Sequence, residues 1–296
     1  MTDTERDTIP VHEHRTRIRE VKRKHNKLLT RQRIRGDLLD LFGDAPPPEL
    51  MTPYVLSPEA QKRTDGIQQK YARREVNIRR AWNRTQRFLP ELLIEGGPKH
   101  RVMELSTAHG AQLEIARHFG HEVMGCDYAN MVFVDGVGIG HRTGSTTAAF
   151  RALNDDTFER TTDDYGIEIV QEGFQDWPYR PICEAIDLPM TIFDGGATPY
   201  PFDDKSYDIS MCFQAIEHYC HPDQWLDIIA EMCRITTKSI VLLLNPIHRE
   251  YATDEAYVDS FNRFRLAMRS YNENGFYCSA TFLHWETAHG FKLQAR

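Results

Sequence analysis

The sequence predicts an α/β protein built on a doubly wound, mostly parallel sheet, with an α-helical region in front of it. Three observations predict this. Beyond residue 97, short apolar runs of strand length alternate with stretches of helical periodicity. The last two runs, 277–284 and 290–295, lie too close together for a crossover helix, so they must pair as an antiparallel hairpin. Ahead of Gly96-Gly97-Pro98 the pattern is long, basic and helical, and the break divides the chain into 1–97 and 98–296.

Composition sets the bounds. The chain has 296 residues, 41% hydrophobic, with 15 Phe, 12 Tyr and 4 Trp, which is ample for a packed core and excludes wholesale disorder. No run reaches the roughly 18 uncharged apolar residues of a membrane span. The first residues are polar and charged, without the apolar stretch of a secretory signal. Six cysteines without a CxxC pair read as reduced thiols, and the expected location is cytoplasmic. Residues 1–100 hold 21 Lys and Arg against 14 Asp and Glu, whereas residues 101–296 hold 15 against 29. A basic front joined to an acidic back implies two units with different surroundings.

The elements follow in order. Residues 11–42 read as a basic helix with a thin apolar stripe, ended by Gly43 and three prolines. A second basic helix spans 58–93, with Ile67, Tyr71, Val76, Ile78, Trp82 and Phe88 as candidate buried positions. Strands are expected at 101–105, 121–127, 190–194, 207–213 and 239–244. Helices are expected at 110–119, 179–188, 222–235 and 254–270, the third with Pro222 at its first position. The run 239–244 is almost wholly apolar, as a strand covered on both faces should be.

The turn after 101–105 carries the chemistry. Glu104-Leu-Ser-Thr-Ala-His-Gly110 passes from strand to helix through small residues, which let a ligand approach the backbone. The helix start offers free N–H groups. Asp127 closes the next strand, where a carboxylate can accept from both hydroxyls of a ribose. Together they suggest a nucleoside-containing cofactor across the carboxyl ends of the first two strands.

Four motifs in order then resemble the class I S-adenosylmethionine (SAM) dependent methyltransferase family, close to its type 11 branch. They are Glu104 to Gly110, Val123-Met-Gly-Cys-Asp127, Gly196-Ala-Thr-Pro-Tyr-Pro-Phe202 running on to Ser206-Tyr-Asp208, and Gln214-Ala-Ile-Glu217-His218. The resemblance covers about two-thirds of the chain and implies a Rossmann-like seven-stranded sheet ending in an antiparallel hairpin. It further implies that SAM is the cofactor. Ser106, Ala108 and Gly110 would line its methionine and ribose, and Glu104 would orient the loop or meet the amino group. Asp127 would hold the ribose, with Tyr128 near the adenine. Gly196 and Ala197 would flank the adenine edge, and Gln214 and Ala215 the methionine end. The family's first two glycines are Ser106 and Ala108 here, and residues with a Cβ are expected to take an ordinary φ. The family's usual acidic residue near the adenine amino group aligns with Gly196, with Asp194 two residues earlier.

Methyl transfer from a sulfonium is mostly a matter of positioning, and a base is required only for a hydroxyl or protonated amine acceptor. His218 directly follows the fourth strand and is the candidate; a structural histidine bonded to the backbone is the other reading. His248 and Tyr251 are weaker candidates. Asn245-Pro246 follows the fifth strand instead of the fourth, and lacks the second proline and the aromatic residue of amino methyltransferases acting on nucleic-acid bases or glutamine, which argues against that substrate class. The insertion 129–177 reads either as a lid over the acceptor or as a surface or oligomer loop, the latter consistent with a homo-oligomer. Within it, Val132 to Gly140 mimics a glycine-rich dinucleotide loop, and well beyond it Glu217 to His221 mimics a metal site without zinc spacing; neither is adopted, and no metal is expected. The basic helices suit an anionic partner, nucleic acid or membrane surface, or packing against the acidic unit. The leading functional expectation is methyl transfer to an O or N atom of a small-molecule, glycan or lipid-linked acceptor. A non-catalytic SAM-binding protein and an RNA methyltransferase are the alternatives.

Overall fold

The computed structural model describes residues 45–58, 73–127, 133–134, 137–138, 179–193, 195–247, 251–283 and 289–296. The helix expected at 11–42, most of the insertion, Tyr128, Asp194 and His248 lie outside these residues. The elements are α1 (Arg74–Phe88), β1 (Arg101–Leu105), α2 (Ala111–His118), β2 (Glu122–Asp127), β3 (Phe133–Val134), β4 (Val137–Gly138), α3 (Arg180–Ala185), β5 (Met190–Ile192), β6 (Tyr207–Phe213), α4 (Trp225–Ile235), β7 (Thr236–Leu243), α5 (Glu255–Arg269), β8 (Phe276–Leu283) and β9 (His289–Ala295).

Seven strands form one sheet in the order β5-β2-β1-β6-β7-β9-β8. The first five run parallel, and β9 lies antiparallel between β7 and β8. The expected terminal hairpin is present, and its second strand inserts beside β7. The order reverses at β1 and β6, where crossovers leave the sheet in opposite directions, and ligands bind beyond the carboxyl ends at such a switch point. β3 and β4 pair antiparallel as a separate ribbon, unlike the strand-to-helix turn of a dinucleotide loop.

Both faces are covered because the strands are apolar on both sides. On one face Val102, Ile209, Met211 and Val241 meet Phe88, Leu113 and Cys183 from α1, α2 and α3. On the other, Met103, Cys212 and Leu242 meet Trp225, Met232 and Phe261 from α4 and α5. Trp225 sets the spacing there, edge-on to Phe264 at 5.1 Å and to Phe261 at 5.7 Å. All six cysteines are free, and only Cys278 is not fully buried.

Helix α1 belongs to this core. Ile78, Ala81, Trp82, Thr85 and Phe88 form its buried stripe at helical spacing. Val76, expected in that stripe, is 46% exposed, because it falls two residues off the Ile78 phase. The helix packs on α2 and is tied to the last strand: Lys292 Nζ donates to the Phe88 carbonyl at 3.2 Å and to Glu91 Oε1 at 2.6 Å. A second tie is buried, where the Arg74 guanidinium donates to Glu114 of α2. Burial raises the Glu114 pKa to about 7 despite that partner.

Candidate functional site

The strand β1 ends in Glu104 and Leu105, and the chain then turns sharply into α2. Thr107 ties this turn to β2. Its N–H donates to the Cys126 carbonyl at 2.9 Å, its hydroxyl donates to the Glu104 carbonyl at 2.8 Å, and the Cys126 N–H donates back to that hydroxyl at 2.9 Å. The next N–H, of Ala108, donates to Asp127 Oδ2 at 2.9 Å. The turn is thus stitched to the neighbouring strand at two successive residues.

The backbone of this turn corrects the expectation of ordinary φ. Ser106 and Ala108 take φ of 53° and 50°, in the left-handed region, and Gly110 takes 73°. A Cβ in that region costs about 1–2 kcal/mol per residue. The stitching through Thr107 and Asp127 holds the chain there, and the Ser106 hydroxyl adds a 2.6 Å hydrogen bond to the Tyr219 hydroxyl. At Gly110 a Cβ would stand 2.7 Å from Leu188 Cδ2 and 3.1 Å from Ile186 Cδ1, so those buried side-chain ends would have to move.

Glu104 is 4% exposed and lies on the α1 side of the sheet, the side Val102 also faces. Burial pushes its pKa well above the usual carboxylate range; Arg84 opposes that shift and Asp127 adds to it. Its Oε2 is buried with no hydrogen-bond partner among the described residues. Arg84 comes from α1. Its guanidinium lies 5.8 Å from the centroid of the Phe213 ring, and its Nη2 donates to Gln214 Oε1. His109 is held neutral by burial and by Arg80 and Arg84, with its pKa lowered to about 3.

At the end of β6 a network of side chains takes over. Gln214 has φ of 60°, and its N–H donates to the Leu243 carbonyl at 2.7 Å. Gln214 Nε2 donates to Asn245 Oδ1 at 2.8 Å, and Asn245 Nδ2 returns to the Gln214 carbonyl at 3.1 Å. The Asn245 N–H donates to Glu217 Oε1. Glu217 Oε2 is buried and unpartnered, and burial raises this carboxyl to about 7.

The sequence-predicted residues fall as follows. Glu104, Ser106, Ala108, Gly110 and Asp127 come together at the β1–β2 end, and Gln214 and Ala215 at the end of β6. Gly196 and the exposed Ala197 lie beyond the end of β5. Neighbouring Gly195 abuts the Tyr219 ring, where a Cβ would meet it at 3.0 Å. His218 is exposed in part; crowding around its ring lowers its pKa to about 4, partly offset by a hydrogen bond to the Gln214 backbone. Tyr251 is 3% exposed and stacks on Tyr257 at 4.2 Å, a packing position. Sequence reasoning missed Arg84. Its one signal is a guanidinium beside Thr85, at the margin of the buried stripe of α1.

The sheet, with five parallel strands and the antiparallel pair placed β7-β9-β8, is the Rossmann-like seven-stranded sheet with a terminal antiparallel hairpin that the sequence resemblance implies. No family model matches the chain, and no curated protein matches it. Solved structures do. The magnesium protoporphyrin IX methyltransferase from Synechocystis, with bound SAH (S-adenosylhomocysteine), matches at 13% identity over 80% of this chain and 94% of that one, with a TM-score of 0.40. A SAM-dependent methyltransferase from Aquifex aeolicus matches at 12% identity over 72% and 93%, with a TM-score of 0.35. A structure titled as a putative Zn-dependent alcohol dehydrogenase from Rhodobacter sphaeroides matches at 9% identity over 74% and 98%, with a TM-score of 0.42. Likenesses of this size decide nothing about activity. The case for the site rests on its residues.

Proposed function

We propose that the protein is a SAM-dependent methyltransferase acting on an O or N atom of a small-molecule, glycan or lipid-linked acceptor. The observation that carries this reading is the pairing of a buried, unpartnered Glu104 oxygen with the Arg84 guanidinium at the switch point. A carboxylate lacking a donor suits an ammonium, and a guanidinium suits a carboxylate. Close enough for the charge of one to act on the other, they complement the two ends of an amino acid. Asp127, two strand ends away from Gln214, suits the ribose that joins such an amino acid to a base. These residues fit SAM, whose sulfonium, when bound, supplies the electrophilic methyl group.

The chain's own residues do the rest. Ser106, Ala108 and Gly110 present backbone to the ligand without bulk, and the Thr107 ties keep that surface preformed. Gly196 and Ala197 flank the base. Glu104 is the acceptor offered to the ammonium. His218 is neutral at pH 7; with one ring nitrogen on the Gln214 carbonyl, the other is the acceptor for a proton leaving the substrate. The left-handed backbone at Ser106 and Ala108 favours cofactor binding over a closed, non-catalytic site. The insertion 129–177 is proposed as the acceptor wall.

Calorimetric titration of SAM and SAH into the wild type and Asp127→Ala tests the reading. Micromolar binding is expected, weakened at least ~10-fold in the variant by loss of charged hydrogen bonds. Absence of binding to the wild type would overturn it.

A further inference from the structure

We infer that Asn245 is a positioning residue for cofactor binding: through Gln214 it fixes how Arg84 presents its guanidinium to the cofactor's carboxylate. The inference rests on the SAM reading above and deepens it.

A carboxamide is nearly symmetric in shape but opposite in polarity at its two ends. Gln214 offers Arg84 the oxygen end, an acceptor for a cation. Nothing in the glutamine itself dictates that orientation. Asn245 does, because its Oδ1 takes the Gln214 Nε2 hydrogen at 2.8 Å, leaving Oε1 to face Arg84. The second contact, Asn245 Nδ2 to the Gln214 carbonyl at 3.1 Å, closes a ring and prevents the asparagine from turning in its place. Asn245 is pinned in turn by its own N–H on Glu217. The left-handed φ of Gln214 belongs to the same device, since non-glycine residues persist there only when the surroundings over-determine them. The chain of contacts therefore runs from the end of β7 through the end of β6 to a helix that precedes the whole sheet. Arg84 is a long side chain with many rotamers. Without Asn245, the Gln214 amide loses the partner of its Nε2, and Oε1 no longer holds the guanidinium on one line.

The test is a ratio of affinities. Calorimetry would compare SAM with decarboxylated SAM, which keeps the sulfonium, nucleoside and ammonium but lacks the carboxylate. Wild type is expected to prefer SAM by ~10-fold or more, the size of a charge-assisted hydrogen bond. Arg84→Met should bring the ratio to about 1 by removing that bond altogether. Asn245→Ala should bring it below ~3, chiefly by weakening SAM, because the bond is misaimed rather than lost. Gln214→Met should do the same and carries the test if Asn245→Ala fails to fold. A merely structural role would weaken both ligands alike and leave the ratio unchanged. A wild-type ratio retained in both Asn245→Ala and Gln214→Met overturns the inference and leaves the SAM reading standing. A ratio near 1 in the wild type removes Arg84 from the carboxylate and the inference with it. No SAM binding at all to the wild type overturns both.

Discussion

The two halves of the carboxyl edge are built by different means. The half formed by β1 and β2 is made of backbone. Its turn is held at backbone N–H groups, by the Cys126 carbonyl, the Thr107 hydroxyl and the Asp127 carboxylate, and its working surface is what small residues leave uncovered. The half formed by β6 and β7 is made of side chains. There Gln214, Asn245 and Glu217 hold one another, and Arg84 joins them from 130 residues away. A backbone site tolerates a change of residue as long as the dihedral angles survive. A side-chain site depends on each polar atom finding its partner.

Substitutions on either side sharpen that contrast. The largest effect is expected at Gly110, where backbone freedom and space are both exhausted. Gly110→Ala combines a left-handed Cβ with an overpacked contact on Leu188, and should cost about 4 kcal/mol in urea denaturation. A loss below about 1 kcal/mol would show that the turn relaxes freely.

On the side-chain half, Glu217 makes stability depend on pH. Its pKa rises from 4.5 to about 7 on folding, so between those values the folded state keeps a proton the unfolded state has lost. Stability therefore falls as pH rises from about 4.5 to 7, by up to about 3 kcal/mol. Glu217→Gln keeps an oxygen for the Asn245 N–H and cannot ionise. Its denaturation midpoint should gain on the wild type from pH 5 to about pH 7 and level off by pH 8. A constant difference across that range would remove the carboxyl from the pH dependence.

The smallest effect lies at the replaced glycines. Ala108→Gly should stabilise by about 1 kcal/mol by relieving a left-handed Cβ. Ser106→Gly should be close to neutral, because the same relief is offset by loss of the 2.6 Å bond to Tyr219. A destabilised Ala108→Gly would mean that the methyl group packs better than its backbone suffers.

The same contrast explains what the sequence made legible. Strand 207–213 was readable to the residue, and the β1 turn and Asp127 were readable from spacing, because local pattern dictates local backbone. The conformation of Ser106 and Ala108 was not, because the forces that hold it come from Cys126 and Asp127 on another strand. Arg84 was hidden for a related reason. A basic residue on a basic helix carries no mark of the buried β1 carboxyl on which its charge acts. Asn245-Pro246 was noticed only as a motif out of place; its partner Gln214 lies 31 residues earlier.

The bond from Lys292 to the end of α1 has a consequence for the order in which the chain is made. Arg84 leaves the ribosome early, while the lysine that fastens its helix lies in the last strand, between two strands already made. During synthesis Trp82 can be covered by Leu93, Ala111 and Ile115 soon after the helix is made, but the tie at the end of the helix must wait for β9. The end of α1 is thus fastened only after the β1–α2 turn and the Gln214–Asn245 pair have been made.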